Sequence, residues 1–377
     1  MKIRIIGSAH PLRGGGISTF NERLAGILQE QGHDVAIYSF SLQYPSILFP
    51  GKSQRTDEPA PAGLKIHSII NSVNPLNWFS VGRKLRDEKP DLVIVRFWTP
   101  FMGPAFGTVL QVARKNRHTR ILAITDNVVA HEKKAADLIL TKYFFKPVHA
   151  FLTMSSEVMR DLRAITQKPA VQLFHPLYDN YGEQMPREEA LRSLSLDPAH
   201  RYIMFFGFIR KYKGLDLLLE ALADPATEAA DIHLIVAGEY YGDQELYEGL
   251  IRKHRLENRV HLFTGFIPND EIRRYFGAAD CVVLPYRTAT QSGITQTAYH
   301  FGRGMVATRV GGLPEFVEDG VTGILCEPQP AAIAQALVRY FEPGIPHLEE
   351  NLTTAKEKYS WPVFTEKLLA FAETIKA

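Results

Sequence analysis

Three loops in this sequence carry residue types suited to holding a polyanion. The first is FFGFIRKYKGLDLLLEA, where Gly207 ends an apolar run, Arg210, Lys211 and Lys213 follow, and Gly214 opens a helical period. Cations at a helix N-terminus oppose its dipole, so they fit best where an anion occupies the same spot. A solvated basic turn is the competing reading. The second loop, RTATQSGIT, places Ser292 and Gly293 just before a helix expected from about Ile294, where backbone amides face a phosphate well. The third, SAHPLRGGGIST, runs through Gly14, Gly15 and Gly16 into a helix that Ser18 or Thr19 would cap. Glycines let amides approach an anion closely; a plain flexible turn is the alternative.

Other side chains suit contacts to a hydroxylated ligand. Asp126 and Asn127 end the strand RILAIT, His131 follows, and His10 lies in the first glycine loop. The competing readings are an Asx turn for Asp126-Asn127 and ordinary surface histidines. Metal ligands are not evident: the chain has no Asp-x-Asp and no Cys/His cluster with zinc spacing, so neither a metal nor another cofactor is expected. A dinucleotide fingerprint fits poorly. The glycine cluster lies seven residues beyond Gly7, and the second strand ends in Tyr38-Ser39 without an acidic ribose ligand.

These loops need strands behind them. β-rich runs (MKIRIIG, DVAIYSF, KIHSII, DLVIVRF, RILAIT, AFLTMS) alternate with helical stretches, which predicts an α/β fold with a mostly parallel sheet. A polar, proline-containing break covers about residues 175–200. The alternation then restarts with YIMFFGF, HLIVAGE, VHLFTGF, CVVLPY, MVATRV and GILCE. Two Rossmann-like domains are expected, 1–178 and 179–359. A closing amphipathic helix, 360–377, carries Trp361, Phe364, Leu368, Leu369 and Phe371 and is expected to return to the first domain.

Taken together, several stretches resemble family 4 of the glycosyltransferases, the retaining group with the GT-B fold. They are the glycine loop, QGHDVAIYS, the spacing from Gly207 to Lys213-Gly214, FTGFIPNDEIRRYFGAADCVVLPY, GGLPEFVEDGVTG and the SWPVF helix. The resemblance covers almost the whole chain and implies two domains facing each other across a cleft. It implies an acceptor-binding first domain and a second domain that binds a nucleotide-sugar donor. Lys213 matches the family lysine that holds the donor diphosphate. Phe208 stands where an arginine is usual, so Arg210 is its substitute. The base is expected against Thr264, Gly265, Phe266 and Ile267, and Asp126 near the reacting sugar. The family's two glutamates are missing: Ala289 and Thr297 stand in their places. A subset with QSG in this loop is the nearer match, so Gln291, Ser292 or Gln296 would take over contacts to ribose or sugar. The implied activity is metal-independent transfer of a hexose-type sugar to a glycan or lipid-linked acceptor, in cell-surface polysaccharide or glycolipid synthesis. A catalytically silent nucleotide-sugar-binding subunit and a sugar-nucleotide epimerase remain the alternatives.

Composition sets the outer limits. Hydrophobic residues make up 45% and charged residues 22% of 377, an ordinary globular balance. Two cysteines fit a reducing, cytoplasmic compartment better than a disulfide scaffold. The net charge of +2 divides unevenly: residues 1–176 carry +10 and residues 177–377 carry −8. The basic run Arg114, Lys115, Arg117, Arg120 and the later Lys133, Lys134, Lys142 and Lys146 lie near FWTPFMGPAF, read here as an apolar loop. That pairing predicts a first domain resting on an anionic membrane surface, at the inner face. Core aromatics beside a solvated basic face are the competing reading. No nucleic-acid-binding motif accompanies the charge.

Overall fold

The computed structural model describes residues 1–12, 16–45, 54–56, 59–128, 135–289 and 292–376. The chain divides into two compact units, Met1–Phe174 with Trp361–Ala377, and His175–Ser360. The sequence placed these breaks at 178/179 and 359/360.

The first unit runs β1 (Lys2–Ile6), α1 (Gly16–Glu30), β2 (Asp34–Leu42), β3 (Ile66–Asn71), α2 (Pro75–Glu88), β4 (Leu92–Phe97), α3 (Gly103–Ala113), β5 (Arg120–Thr125), α4 (Ala135–Phe145), β6 (Ala150–Thr153), α5 (Ser156–Arg163) and β7 (Ala170–Gln172). Its seven strands lie in the order β3-β2-β1-β4-β5-β6-β7, all pairs parallel. β4, LVIVRF, is buried along its whole length, as a strand covered on both faces must be. α2 shows how locally these elements are written. The Asn74 side chain accepts from the Leu76 and Asn77 amides, Pro75 fills the first helical position, and Lys89 ends the helix in a left-handed conformation. β7 went unread in the sequence because it has three residues at a sheet edge.

Two sequence expectations need correction here. α1 begins at Gly16, so Ser18 and Thr19 lie inside its first turn and do not cap it; the Ser18 hydroxyl instead donates to Ser8 Oγ at 3.0 Å. The stretch FWTPFMGPAF is no exposed loop. Phe97 ends β4, Met102 and Phe106 start the next helical segment, and all three are fully buried in one core cluster with Phe144 and Phe151. Phe97 stacks on Phe144 with ring centroids 4.2 Å apart. Apolar loops and buried strand–helix junctions look alike in composition, and burial decides which this is.

The second unit runs α6 (Arg187–Ser193), β8 (Arg201–Phe206), α7 (Leu215–Leu222), α8 (Pro225–Ala229), β9 (Ile232–Ala237), α9 (Gln244–Lys253), β10 (Val260–Phe263), α10 (Ile272–Ala278), β11 (Cys281–Leu284), α11 (Gly293–His300), β12 (Gly304–Thr308), β13 (Gly323–Cys326), α12 (Pro330–Phe341) and α13 (Leu348–Lys358). Its strand order is β10-β9-β8-β11-β12-β13, again parallel. The chain builds outward from β8 to β10, then returns to lay β11 on the other side of β8. The order therefore reverses between β8 and β11, and loops leaving the carboxyl ends of those two strands flank a natural crevice.

The last helix, α14 (Trp361–Glu373), belongs to the first unit. Trp361 and Phe364 pack on Phe20 of α1 at 5.0 and 5.7 Å between ring centroids. Gln31 donates to Thr365 Oγ1 at 2.8 Å, and Arg120 donates to the Ala372 carbonyl at 3.0 Å. Among the described residues no helix is long and apolar enough to cross a membrane.

Candidate functional site

The loops after β8 and β11 are clamped together at the switch point. Gly214, with φ of +71°, starts α7 so close to the second loop that a Cβ would sit 2.0 Å from the Pro285 carbonyl oxygen. Only glycine satisfies both the left-handed backbone and that approach. Arg287 fixes the same junction: it donates twice to Asp216 of α7 at 2.8 and 2.7 Å, and its amide donates to the Tyr212 carbonyl. From the other side the Gly312 amide donates to the Ala289 carbonyl, so the GGLPE turn braces the loop too.

Lys213 sits in this crevice, and its side chain is the unusual group of the unit. It is 9% exposed. Its ammonium lies 5.8 Å from the centre of the Tyr286 ring, and among the described residues it has neither a carboxylate nor a hydrogen-bond acceptor. Burial, reinforced by the charge of Arg210, pushes its pKa down from 10.5 to about 8. A buried ammonium without an anion is costly, and it marks a place where an anion is expected to bind. Arg210 is exposed, with its guanidinium 4.5 Å from the centre of the Tyr241 ring. A Cβ on Gly207 would lie 3.2 Å from Lys213 Nζ and 3.8 Å from Ile294 Cδ1, so these three positions meet.

The start of α11 completes the arrangement. Ser292 is buried and extended, and its hydroxyl lies 3.3 Å from the Tyr286 hydroxyl, whose pKa burial pushes far up. The first-turn amides of Gly293 and Ile294 have no acceptor within the helix, as in any helix first turn. Thr297, at one glutamate position, is buried and spends its hydroxyl on the Gly293 carbonyl at 3.1 Å. Gln296 is 1% exposed, and neither amide atom has a hydrogen-bond partner among the described residues. Tyr286 and Tyr241 escaped the sequence reading, although Tyr286 ends CVVLPY directly before the loop. Gly265, Phe266 and Ile267 follow the edge strand β10, with Phe266 exposed. Gln291 lies outside the described residues.

In the first unit the described candidates lie at the carboxyl ends of β1 and β5. Gly16 opens α1 and is exposed. The His10 amide donates to Glu22 at 2.7 Å. Asp126 follows β5 and accepts two bonds from Arg96, at 2.6 and 2.5 Å; the guanidinium in turn lies over the Phe20 ring at 3.9 Å. The carboxylate thus balances a buried cation. Asn127 is half-buried beside it. Gly15 and His131 lie outside the described residues.

A largely buried cation, the amides of a helix start and a buried amide without a partner among the described residues gather at a strand-order switch, an arrangement able to hold a polyanion. Residues 200–342 match the family model described as "Glycosyl transferases group 1". The second unit is thus similar to the group 1 glycosyl transferases. D-inositol 3-phosphate glycosyltransferase of Corynebacterium diphtheriae is 30% identical over 52% of this chain and 47% of that protein. Spore coat protein SA of Bacillus subtilis is 24% identical over 86% of this chain and 85% of that protein. The chain spans only 31 to 51% of the length of the first five curated relatives it matches. Among solved structures, a glycosyltransferase from Rickettsia africae superimposes with a TM-score of 0.72 at 17% identity, covering 98% of this chain and 97% of that one. Anabaena Alr3699/HepE in complex with UDP gives 0.71 at 16% identity, with both chains covered in full. The fold is GT-B, built of two Rossmann-like units with parallel sheets.

Proposed function

We propose that this chain is a retaining, metal-independent glycosyltransferase that takes a hexose-type sugar from a nucleotide diphosphate. The observation that carries the proposal is the Lys213 side chain at the β8/β11 switch point, 9% exposed and without a carboxylate partner among the described residues. Breaking the bond from the anomeric carbon leaves negative charge on the diphosphate. Lys213, Arg210 and the amides of Gly293 and Ile294 supply fixed positive charge for it, with no reorganisation at the moment of reaction. In same-face substitution the leaving phosphate oxygen takes the acceptor's proton, so a glycosidase-like carboxylate pair is not needed. That fits a site where Ala289 and Thr297 replace carboxylates. Metal independence rests on the lack of an Asp-x-Asp in the sequence. The buried Gln296 amide is the group offered to ribose or sugar, and the loop 264–267 to the base. The name of the C. diphtheriae relative supports glycosyl transfer, and the UDP bound by Anabaena HepE supports a nucleotide donor.

The acceptor falls to the first unit, and a glycan or lipid-linked acceptor at an anionic membrane suits its surface. Leu76 and Phe79 on α2 and Leu138, Ile139 and Tyr143 on α4 are exposed, and Lys142 and Lys146 are exposed near them. α3 packs between these two helices. Arg114, Lys115 and Arg117 are exposed at the end of α3. Basic residues near anionic headgroups contribute about 1 kcal/mol each.

A thermal-shift screen against UDP, GDP, ADP and their sugar conjugates, followed by product analysis with a mixed donor pool, tests the first proposal. One nucleotide should raise the melting temperature, and sugar should appear on an acceptor. Binding without transfer would instead identify a silent subunit, and a converted nucleotide sugar an epimerase. Co-sedimentation with anionic but not neutral vesicles, weakened by salt, tests the second; failure to bind anionic vesicles at low salt ends it.

A further inference from the structure

β8 and β9 lie side by side and end together, Phe206 beside Ala237. A glycine follows each. Gly238 holds φ of +142°, and a Cβ there would sit 2.3 Å from the Gly207 carbonyl oxygen, so only glycine lets the two chains leave the sheet this close together. Pairing then resumes for one step. Ile209 bridges Tyr240 in parallel; the Ile209 amide donates to the Glu239 carbonyl at 2.8 Å, and the Tyr241 amide donates to the Ile209 carbonyl at 2.9 Å. Side chains alternate across such a ladder. Ile209 is fully buried and Tyr240 packs on the same core, which turns Phe208, Arg210 and Tyr241 to the other face.

On that face the three side chains meet. The Phe208 and Tyr241 rings sit edge to face, with centres 5.1 Å apart at 72°. The Arg210 guanidinium lies 4.5 Å from the centre of the Tyr241 ring and 6.0 Å from that of Phe208, both within reach of a cation–π attraction. Phe208 and Tyr241 are exposed, so neither ring serves the core. Among the described residues Arg210 has no ion pair and no side-chain hydrogen bond, which leaves the rings to restrain it. Its carbonyl accepts from the Lys213 amide at 2.9 Å, closing the short turn that carries Lys213.

We infer that Tyr241, backed by Phe208, is a positioning residue: its ring is the shelf that holds the Arg210 guanidinium ready, beside Lys213, for the diphosphate. The inference rests on the reading of this crevice as a diphosphate site. An unrestrained arginine must be ordered when an anion binds, at a cost in affinity, and one already stacked on a ring loses less. A ring restrains the cation without cancelling its charge, as a carboxylate would, so its N–H donors remain for phosphate oxygens. Tyr241 itself touches no donor atom in this arrangement.

UDP, GDP and ADP, titrated in turn by calorimetry into the full chain and its variants, test it. Tyr241→Leu should weaken the nucleotide that binds the parent by about fivefold, while the melting temperature of the unliganded protein stays unchanged because the side chain is exposed. Tyr241→Phe keeps the ring and should bind as the parent does. In an Arg210→Gln background Tyr241→Leu should have no further effect, a coupling that neither a merely structural side chain nor a direct nucleotide contact would give. Phenylglyoxal should modify Arg210 faster in Tyr241→Leu than in the parent, a readout that needs no nucleotide. Parent-like affinity in Tyr241→Leu, or an equal loss with and without Arg210, refutes the positioning role. Lys213→Met separates that failure from a failure of the underlying reading. Binding lost in Lys213→Met but kept in Tyr241→Leu removes the positioning role alone; binding kept in Lys213→Met, or no nucleotide bound by the parent, removes the diphosphate site and this inference with it.

Discussion

Lys213→Met separates the cost of the buried ammonium from its use. In the ligand-free protein the lysine pKa falls from 10.5 to about 8 because the charged form is desolvated and faces Arg210. At about 1.4 kcal/mol per decade of proton affinity, the folded protein bears about 3 kcal/mol of this at neutral pH. The sign follows from proton counting. Between about pH 8 and 10.5 the unfolded chain holds a proton that the folded chain has released, so the parent gains stability as pH rises through that window. Methionine fills similar space without charge and is free of the cost at every pH. Lys213→Met should therefore be more stable than the parent at pH 7, by up to about 3 kcal/mol less any packing loss, and the difference should shrink towards pH 10. Urea unfolding of both proteins at several pH values measures it. The same variant should lose the thermal shift given by UDP and lower transfer by two to three orders of magnitude, roughly the effect of one preorganised donor. A Lys213→Met protein that is less stable at pH 7, by an amount that does not change with pH, refutes the assignment of a costly buried cation. Unchanged UDP binding refutes its role.

Three further outcomes are expected. Asp126→Asn leaves the buried Arg96 guanidinium without its counter-charge and should cost about 3 kcal/mol, seen as a lower melting temperature; unchanged stability with impaired transfer would move Asp126 into the reaction. Gln296→Leu removes an amide that has no partner, so stability should hold or rise while UDP-sugar affinity falls about tenfold, measured by calorimetry; equal affinity would deny Gln296 any contact with the donor. Transfer should persist in excess EDTA, and loss restored only by magnesium or manganese would reveal a catalytic metal at the diphosphate.

What could be read in the sequence was whatever a single segment determines. Strand–helix alternation, the Gly207–Lys213–Gly214 spacing and the polar loop before α11 are local patterns, and each fixes backbone geometry within a few residues. Other facts required long-range pairing. Asp126 looked like a free carboxylate because Arg96 stands 30 positions earlier, inside an otherwise apolar strand. FWTPFMGPAF looked like a membrane-seeking loop because composition does not register that Phe97 at the end of β4, with Met102 and Phe106 after it, is folded into the core. The contact of His200 and His233 with Asp231 left no pattern in the sequence, since sheet register alone brings 200 beside 231. The loops after β8 and β11 were legible for the opposite reason: a parallel sheet sends the ends of these strands to one crevice whatever the side chains are, so residue types suited to anions stand out there.

The missing glutamates can be placed by the same logic. A carboxylate at 297 would project from the buried face of α11, where Thr297 now bonds back to its own helix. Burying a carboxylate requires hydrogen bonds to fixed donors or to ligand hydroxyls. Threonine satisfies itself and releases the helix from that demand, while Gln296, one position earlier, carries a neutral amide that stays unsatisfied until something polar reaches it. The neighbouring site already holds one desolvated ammonium, Lys213, which has no carboxylate partner among the described residues. With no anionic side chain at 289 or 297 to share it, that field is left for the phosphates of the proposed donor. Under the proposed function, donor recognition then relies on charge on the ligand side and not on the protein side, and affinity for the nucleoside diphosphate should depend on salt more steeply than affinity for the sugar.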